Sequence, residues 1–117
     1  MNKEEARYLI GLQHDKIIEG ELTFTLNEVT YTFRDGARIL GRLQLARQVA
    51  VIKGIETVTF EDQTAIHTMD ITEFDTLCGV MILKGNSVWE TKIMKYGLLE
   101  ADVTEEEIQT IVDSSWE

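Results

Sequence analysis

The residues that most often carry chemistry are few in this chain and lie far apart. It contains two histidines, His14 and His67, and one cysteine, Cys78. A metal site needs several ligands at short, fixed spacings, and neither histidine has a further metal ligand at a workable spacing. The pattern predicts that His67 is a partly buried residue on a strand face. It also predicts that Cys78 is a small apolar residue on a helix.

Two other segments resemble ligand sites in composition only. Residues 105–107 are three glutamates at a predicted helix start, where the helix dipole favours acids, and they lack the loop of a calcium site. Residues 79–87 contain glycines and a lysine, but not in P-loop order. An enzyme needs a base, a nucleophile or a metal held by a partner group, and the sequence offers no such set. We therefore predict that the protein is not an enzyme and uses no cofactor or metal.

The net charge is −10, and the charges are unevenly distributed. Binding of free nucleic acid needs a basic surface, so we expect no nucleic-acid partner. Residues 36–55 contain no acid, whereas residues 100–117 contain seven acids and no base. Four of the five arginines fall within 14 residues: Arg34, Arg38, Arg42 and Arg47. These segments are either two solvated faces, or a basic patch that docks an acidic partner or the acidic tail of a second copy.

The length of 117 residues is typical of a chain that buries its own core without disulfides or metals. A single cysteine excludes an internal disulfide and fits a reducing compartment. The longest apolar run, residues 77–83, is far shorter than the roughly 20 residues that span a bilayer. No signal peptide is recognisable at the amino terminus. We expect a soluble, intracellular protein with no membrane partner.

A β-hairpin over residues 21–33 is the clearest local pattern. The segments LTFTL and VTYTF alternate apolar residues with threonine, which is the period of a strand with one buried face. A two-residue turn at Asn27 and Glu28 pairs the apolar residues as Leu26 with Val29, Phe24 with Tyr31, and Leu22 with Phe33. Because Asn-Glu suits a tight turn less well than Asn-Gly, a slightly longer turn is the alternative.

Residues 54–77 predict a second hairpin that leads directly into a helix. Strands at 57–61 and 64–69, joined around Asp62 and Gln63, place Phe60 opposite Ala65. The same register places Val58 opposite His67.

Four helices are predicted around these hairpins. The first covers residues 2–18 and is capped by Asn2, and the second covers about 37–53 and ends at Gly54. The third begins after a cap at Asp70. Residues 85–87 either break this helix or bend it, and the phase of its apolar residues favours one bent helix. Thr104 caps the fourth.

The second helix has two apolar stripes on different sides. The first stripe is Ile39, Leu43, Ala46 and Ala50, and the second is Leu45, Val49 and Ile52. A helix that lies on a sheet needs only one stripe. The second stripe is therefore expected to pack against the later long helix or against another subunit, with Arg38 and Arg42 beside it.

The fold class predicted from these elements is α+β. It consists of two β-hairpin–helix units with an N-terminal helix and a C-terminal helical pair. Residues 1–20 form the N-terminal helix, and residues 21–117 form a single domain.

Four motifs carry a resemblance to a known family: LTFTLNEVTYTFRD, RILGRLQLARQ, VTFEDQT with MDITEFDTL, and WETKI…LLEADVTEEEIQTI with a terminal tryptophan. Together they resemble a domain family of tailed phages and prophages that occurs beside or within tail-fibre and tail-fibre-assembly proteins. That family commonly has a tryptophan in the second strand pair and an Asp-Asn turn. Here Phe60 and the pair Asp62-Gln63 stand at those places. The resemblance covers residues 21–116 and leaves out the first helix.

The resemblance brings a biological context rather than an activity or a site. It implies a bacteriophage tail protein, either a chaperone of tail-fibre assembly or a small structural adaptor in the virion. Its partner would be a phage tail or tail-fibre protein, and a homo-oligomer remains open. The protein would act in the host cytoplasm during assembly or in the virion tail.

We place the partner-binding residues on the second helix: Arg38, Arg42, Leu45, Arg47, Val49 and Ile52. The alternative function is a small acidic phage inhibitor of a host defence or nucleic-acid enzyme, in which the acidic tail mimics phosphates.

Overall fold

The computed structural model describes residues 1–117, apart from the side chain of Ala37. Its elements are α1 (Lys3–Glu19), β1 (Glu21–Leu26), β2 (Val29–Arg34), α2 (Gly36–Lys53), β3 (Thr57–Glu61), β4 (Ile66–Asp70), α3 (Ile71–Leu99) and α4 (Glu105–Asp113). The strands form two separate two-stranded antiparallel sheets. The predicted α+β class, with two hairpin–helix units between helical ends, is confirmed.

The residues group into two compact units. One, which we call the hairpin unit, covers residues 18–85, and the other, the helical unit, combines residues 1–17 with 86–117. These groupings do not test whether residues 21–117 fold as one domain, so that boundary stays a prediction. Among the helices described, none combines the length and apolarity that crossing a membrane requires.

The first hairpin has the predicted register. Leu26 pairs with Val29, and Phe24 pairs with Tyr31. Asn27 and Glu28 both have positive φ, at 50° and 67°, which is the geometry of a two-residue turn that follows the strand twist. The longer turn considered from the sequence is therefore wrong. On the face opposite the aromatic residues, threonine hydroxyls bond across the strands: Thr23 with Thr32 at 3.2 Å and Thr25 with Thr30 at 3.0 Å.

The second hairpin has a different register from the one predicted. Phe60 pairs with His67 rather than Ala65, and Val58 pairs with Met69 rather than His67. The loop is four residues long, 62–65, instead of a two-residue turn. Because the shift is two residues, every side chain stays on its predicted face.

The carboxylate of Asp62 explains this longer loop. Its Oδ1 atom accepts hydrogen bonds from the backbone N–H groups of Thr64 and Ala65, both at 2.9 Å. The Oδ2 atom accepts from the N–H of Thr32 in β2 at 2.9 Å, and the N–H of Gln63 donates to the carbonyl of Thr32 at 2.9 Å. An aspartate at a loop start readily bonds the backbone two or three residues later. Here it also joins the second hairpin to the edge of the first.

The core of the hairpin unit lies between the strand faces, α2 and the first half of α3. Phe60 is central, with its ring 6.2 Å from Tyr31, 6.4 Å from Phe33 and 5.4 Å from Phe74. The first stripe of α2 enters this core through Leu43 and Ala50.

The predicted helix ends are confirmed at several positions. The Oδ1 atom of Asn2 accepts from the N–H of Glu5 at 2.8 Å, and that of Asp70 accepts from Glu73 at 2.8 Å. Gly54 ends α2 with φ of 69°, a left-handed conformation that glycine adopts readily. The third helix continues through residues 85–87 without a break, as the phase of its apolar residues indicated.

The helical unit is organised around a small apolar core of Ala6, Ile10, Leu99, Ile108 and Val112. Lys95 is fully buried beside it. The Lys95 ammonium donates to the carbonyl of Ser114 at 2.7 Å and lies 4.6 Å from the centre of the Trp116 ring. The Trp116 indole in turn donates to the side chain of Gln13 at 3.1 Å. These contacts attach the carboxyl-terminal segment to α1 and α3.

We expect replacement of Asp62 to destabilise the protein. Asp62→Asn should lower the free energy of unfolding by about 1–3 kcal/mol, because the amide presents donors to groups that need an acceptor. Urea unfolding at pH 7 measures this loss. Asp102→Asn, at an exposed carboxylate, is the control and should leave the urea midpoint unchanged.

The same aspartate should give the protein an acid sensitivity. Burial raises the pKa of Asp62, but the hydrogen bonds from Thr32, Thr64, Ala65 and His67 outweigh it and hold the pKa well below the ordinary 3.8. A group whose pKa is lower in the folded state stabilises that state above its unfolded pKa. The contribution should therefore begin to fall as the pH drops below about 3.8, and it should be lost as the pH falls through the lower pKa of the folded state. Asp62→Asn should weaken this pH dependence, and an unchanged acid transition would contradict the assignment.

Lys95 should matter more for its volume than for its charge. Burial lowers the pKa of the Lys95 ammonium, an effect that Asp113 partly opposes. Lys95→Met keeps the side-chain volume without the charge. We expect its free energy of unfolding to lie within about 1 kcal/mol of that of the native protein. Lys95→Ala should cost about 2 kcal/mol or more because it leaves a cavity. Equal losses in both variants, measured by urea unfolding, would show that the ammonium bonds dominate.

Candidate functional site

The outer face of α2 carries five of the six residues predicted to bind a partner. Arg38, Arg42, Leu45, Val49 and Ile52 follow one another at steps of four and three residues, so they lie along one side of the helix. We call this set the α2 stripe. Its residues lie on the side of the helix away from the buried Leu43 and Ala50, so packing of the first stripe orients the second outward.

The apolar part of the α2 stripe is exposed. The exposed fractions are 61% for Leu45, 48% for Val49 and 83% for Ile52. This exposure contradicts the possibility that the later long helix covers these residues. Of the two neighbours expected for the second stripe, only another subunit or another protein is left.

Arg47 lies on a different side of α2 from the stripe. Its Nε atom donates to Asp75 Oδ1 at 2.6 Å and its Nη2 atom donates to Asp75 Oδ2 at 3.1 Å, so the pair is bidentate. This bonding raises the pKa of Arg47 and lowers that of Asp75. Arg47 therefore joins α2 to α3 within the hairpin unit, whereas Arg38 and Arg42 are exposed beside the apolar residues.

The α2 stripe is locally basic in an acidic protein. The segment from residue 36 to 55 contains no acid, while the whole chain has a net charge of −10. Its arginines come first along the helix and its apolar residues follow. Such an arrangement suits a partner helix that brings acidic side chains to one end and apolar side chains to the other.

The pair formed by Asp62 and His67 is a second place where functional groups meet. The Nε2 atom of His67 lies 3.1 Å from Asp62 Oδ1, and its ring meets that of Tyr31 edge-on at 4.8 Å. His67 is 16% exposed and the Asp62 side chain is inaccessible to solvent. The sequence placed His67 on the correct face. It missed the aspartate, although an Asp before Gln-Thr in a turn is a recognisable signal for such a loop.

Cys78 is buried on α3, as the sequence predicted. Burial raises the pKa of its thiol to about 11, with a further increase from Asp75 and a smaller opposing effect from Arg47. Such a thiol carries very little thiolate near neutral pH. Within the described residues, no three His, Cys, Asp or Glu side chains are grouped in a way that would hold a metal ion.

No family model, curated protein or solved structure matches this chain.

The thiol of Cys78 should react slowly in the folded protein. A pKa of about 11 instead of 9.0 lowers the thiolate fraction at pH 8 roughly 100-fold, and burial adds a steric barrier. Iodoacetamide labelling followed by intact mass should show this difference between the native protein and the protein in urea. Similar labelling rates in the two conditions would contradict the buried position.

Proposed function

We propose that this protein is a bacteriophage tail-associated protein that acts by docking to another protein through the α2 stripe. It serves as a chaperone of tail or tail-fibre assembly, or as a small adaptor in the virion. The resemblance of its motifs to the tailed-phage family supports the context. The exposure of Leu45, Val49 and Ile52 on a helix that is otherwise anchored in a core supports the mechanism.

An exposed apolar row on a packed helix is typical of a protein-binding surface. Contiguous apolar groups at the surface cost solvation free energy, which burial against a partner recovers at about 25 cal/mol per Å². The alternating steps of four and three residues match the seam of a helix that packs against a second helix. The partner segment is therefore an amphipathic helix that lays its apolar side on Leu45, Val49 and Ile52.

The two arginines favour a different protein over a second copy as the occupant. In a parallel pairing of two copies, Arg38 and Arg42 would face the same arginines. In an antiparallel pairing, they would face Val49 and Ile52 and would bury charge against apolar groups. A partner helix with acidic residues at one end avoids both costs, and its charges fix the direction of docking.

In the chaperone role, the α2 stripe covers an apolar helix of the fibre protein until that helix reaches its place in the assembled fibre. In the adaptor role, the same contact persists in the particle. The two roles differ in one observable, the presence of the protein in purified particles and its copy number there.

The experiment is co-expression with a tail-fibre protein from the same genome, followed by purification through a tag on the fibre. We expect Ile52→Glu to reduce co-purification about tenfold or more, because a charge then faces the apolar side of the partner. Leu83→Glu, at another helical residue that is 70% exposed, is the matched control and should bind normally. Arg42→Gln should weaken binding and its salt dependence, whereas Arg34→Gln should not.

Two results would overturn the proposal. The first is a fibre that is equally soluble and trimeric without this protein, together with mature particles that lack it. The second is co-purification of the Ile52→Glu variant at the level of the Leu83→Glu control.

A further inference from the structure

A groove between the two hairpins lies apart from the α2 stripe and has a different chemistry. Its volume is about 680 Å³, which is within the range of ligand-binding clefts. The residues that matter for its chemistry are Val29, Tyr31, Ile66, Thr68, Met69 and Glu73. We call it the edge groove, because strands β2 and β4 border it.

The edge of β2 beside this groove presents unpaired backbone groups. The N–H and C=O of Thr32 point away from β1, since they bond to the loop of the second hairpin. In an antiparallel pair this direction alternates along the strand, so the N–H and C=O of Thr30 point to the same side. The Asp62 loop occupies the edge at Thr32 only and leaves Thr30 open.

The edge of β4 follows the same rule. The N–H of Ile71 bonds to the carbonyl of Glu56, at the end of the ladder between β3 and β4. Alternation then directs the N–H and C=O groups of Ile66 and Thr68 away from β3. Both residues line the groove. Among the described residues, no hydrogen bond reaches these groups from outside their own hairpin.

We propose that the edge groove binds an extended peptide segment of a partner protein, which adds a strand to β4. Backbone groups of the segment pair with those of Ile66 and Thr68. An apolar side chain of the segment enters between Tyr31 and Met69, and a basic side chain pairs with Glu73.

The chemistry of the groove selects this occupant. A row of open N–H and C=O groups is matched by an extended backbone, which is how a peptide adds to a sheet edge. A helix uses its own backbone groups internally and would leave the edge unpaired. The carboxylate of Glu73 complements a lysine or arginine, and the rim has apolar area to bury, since Ile66 is 73% exposed and Val29 is 42% exposed.

The probes are acetylated and amidated pentapeptides of the form Thr-Xaa-Thr-Lys-Thr, in which Xaa is Val, Leu or Phe, so that Xaa and Lys point to the same face of the added strand. Each peptide is titrated to about 2 mM into the ¹⁵N-labelled protein, and binding is followed by the amide chemical shifts. This concentration range is high enough to detect a dissociation constant in the millimolar range. We expect the amides of Ile66 and Thr68 to shift most. N-methylation of the central peptide bonds should abolish binding, because it removes the donors of the added strand.

A matched pair of proline variants tests the edge itself. Thr68→Pro removes an outward N–H on the groove side, and Thr59→Pro removes one from the directly opposite residue on the other edge. Both break the same bond between the Thr59 and Thr68 hydroxyls. Proline is tolerated at an open strand edge. We expect Thr68→Pro to bind the peptides at least about fivefold more weakly than Thr59→Pro.

Further variants keep the proposal testable if a proline variant does not fold. Glu73→Gln should weaken binding of the lysine peptides and leave peptides with norleucine in place of lysine unaffected. Ile52→Glu on the α2 stripe should bind the peptides normally. The peptide-binding proposal and the proposed docking function are therefore tested independently.

Three outcomes would overturn the proposal. One is the absence of shifts at Ile66 and Thr68 with all three peptides. Another is equal binding of the N-methylated peptides. The third is a concentration-dependent shift of the same amides without peptide, which would place a second copy of the chain in the groove instead.

Discussion

The buried carboxylate of Asp62 is the interaction on which the hairpin unit depends. A buried charge is costly unless several donors satisfy it, and Asp62 accepts from Thr32, Thr64, Ala65 and His67. Three consequences follow from this one side chain. It lengthens the loop of the second hairpin and so sets its register, it orients the imidazole of His67, and it joins the two sheets at Thr32. Because the sheets meet at that point and nowhere form a continuous ladder, they leave the edge groove between them.

The hairpin unit therefore has two exposed surfaces, which we propose recognise different features of a partner protein. The α2 stripe offers side chains, apolar at one end and basic at the other, which suits a folded helix. The edge groove offers backbone groups, which suits an extended segment. In the proposed assembly role, the protein would meet its partner before and after folding, and such a pair of surfaces would allow it to bind either form. Both surfaces lie on elements that pack around Phe60, but they have no residue in common. Each can therefore be mutated without changing the other.

The helical unit illustrates how tertiary contacts stabilise an otherwise marginal helix. Gly11 costs α1 about 1 kcal/mol relative to alanine. A β-carbon at residue 11 would lie 3.2 Å from the hydroxyl of Tyr96, a tight contact that glycine avoids. That hydroxyl donates to the carbonyl of Arg7 at 3.4 Å, and the Arg7 guanidinium lies over the Tyr96 ring at 4.7 Å. With the buried Lys95 and Trp116, these contacts make α1, which the family resemblance leaves out, an integral part of its unit.

The sequence by itself determined the features that depend on neighbouring residues. The first is the register of the first hairpin, which follows from the strict alternation on either side of Asn27 and Glu28. The others are the helix caps at Asn2, Asp70 and Thr104 and the presence of a second apolar stripe on α2. Each rests either on a helical or strand periodicity or on a contact between residues at most four apart. In both cases the sequence separation of two residues determines whether they are neighbours in the structure. The same local rules placed His67 on its correct strand face, although its partner across the strands was wrong.

Only the tertiary structure decided the features that depend on distant residues. The second register was set by a carboxylate that also bonds Thr32, thirty residues earlier. The partner of Arg47 was also set by the fold, since Asp75 lies 28 residues later in the chain, whereas helical spacing alone places Arg47 on a different side of α2 from Arg38 and Arg42. The burial of Lys95 and the edge groove likewise arise from segments that meet only after folding. No periodicity in the chain encodes these contacts, because they depend on which elements pack together and on which buried polar groups must then be satisfied.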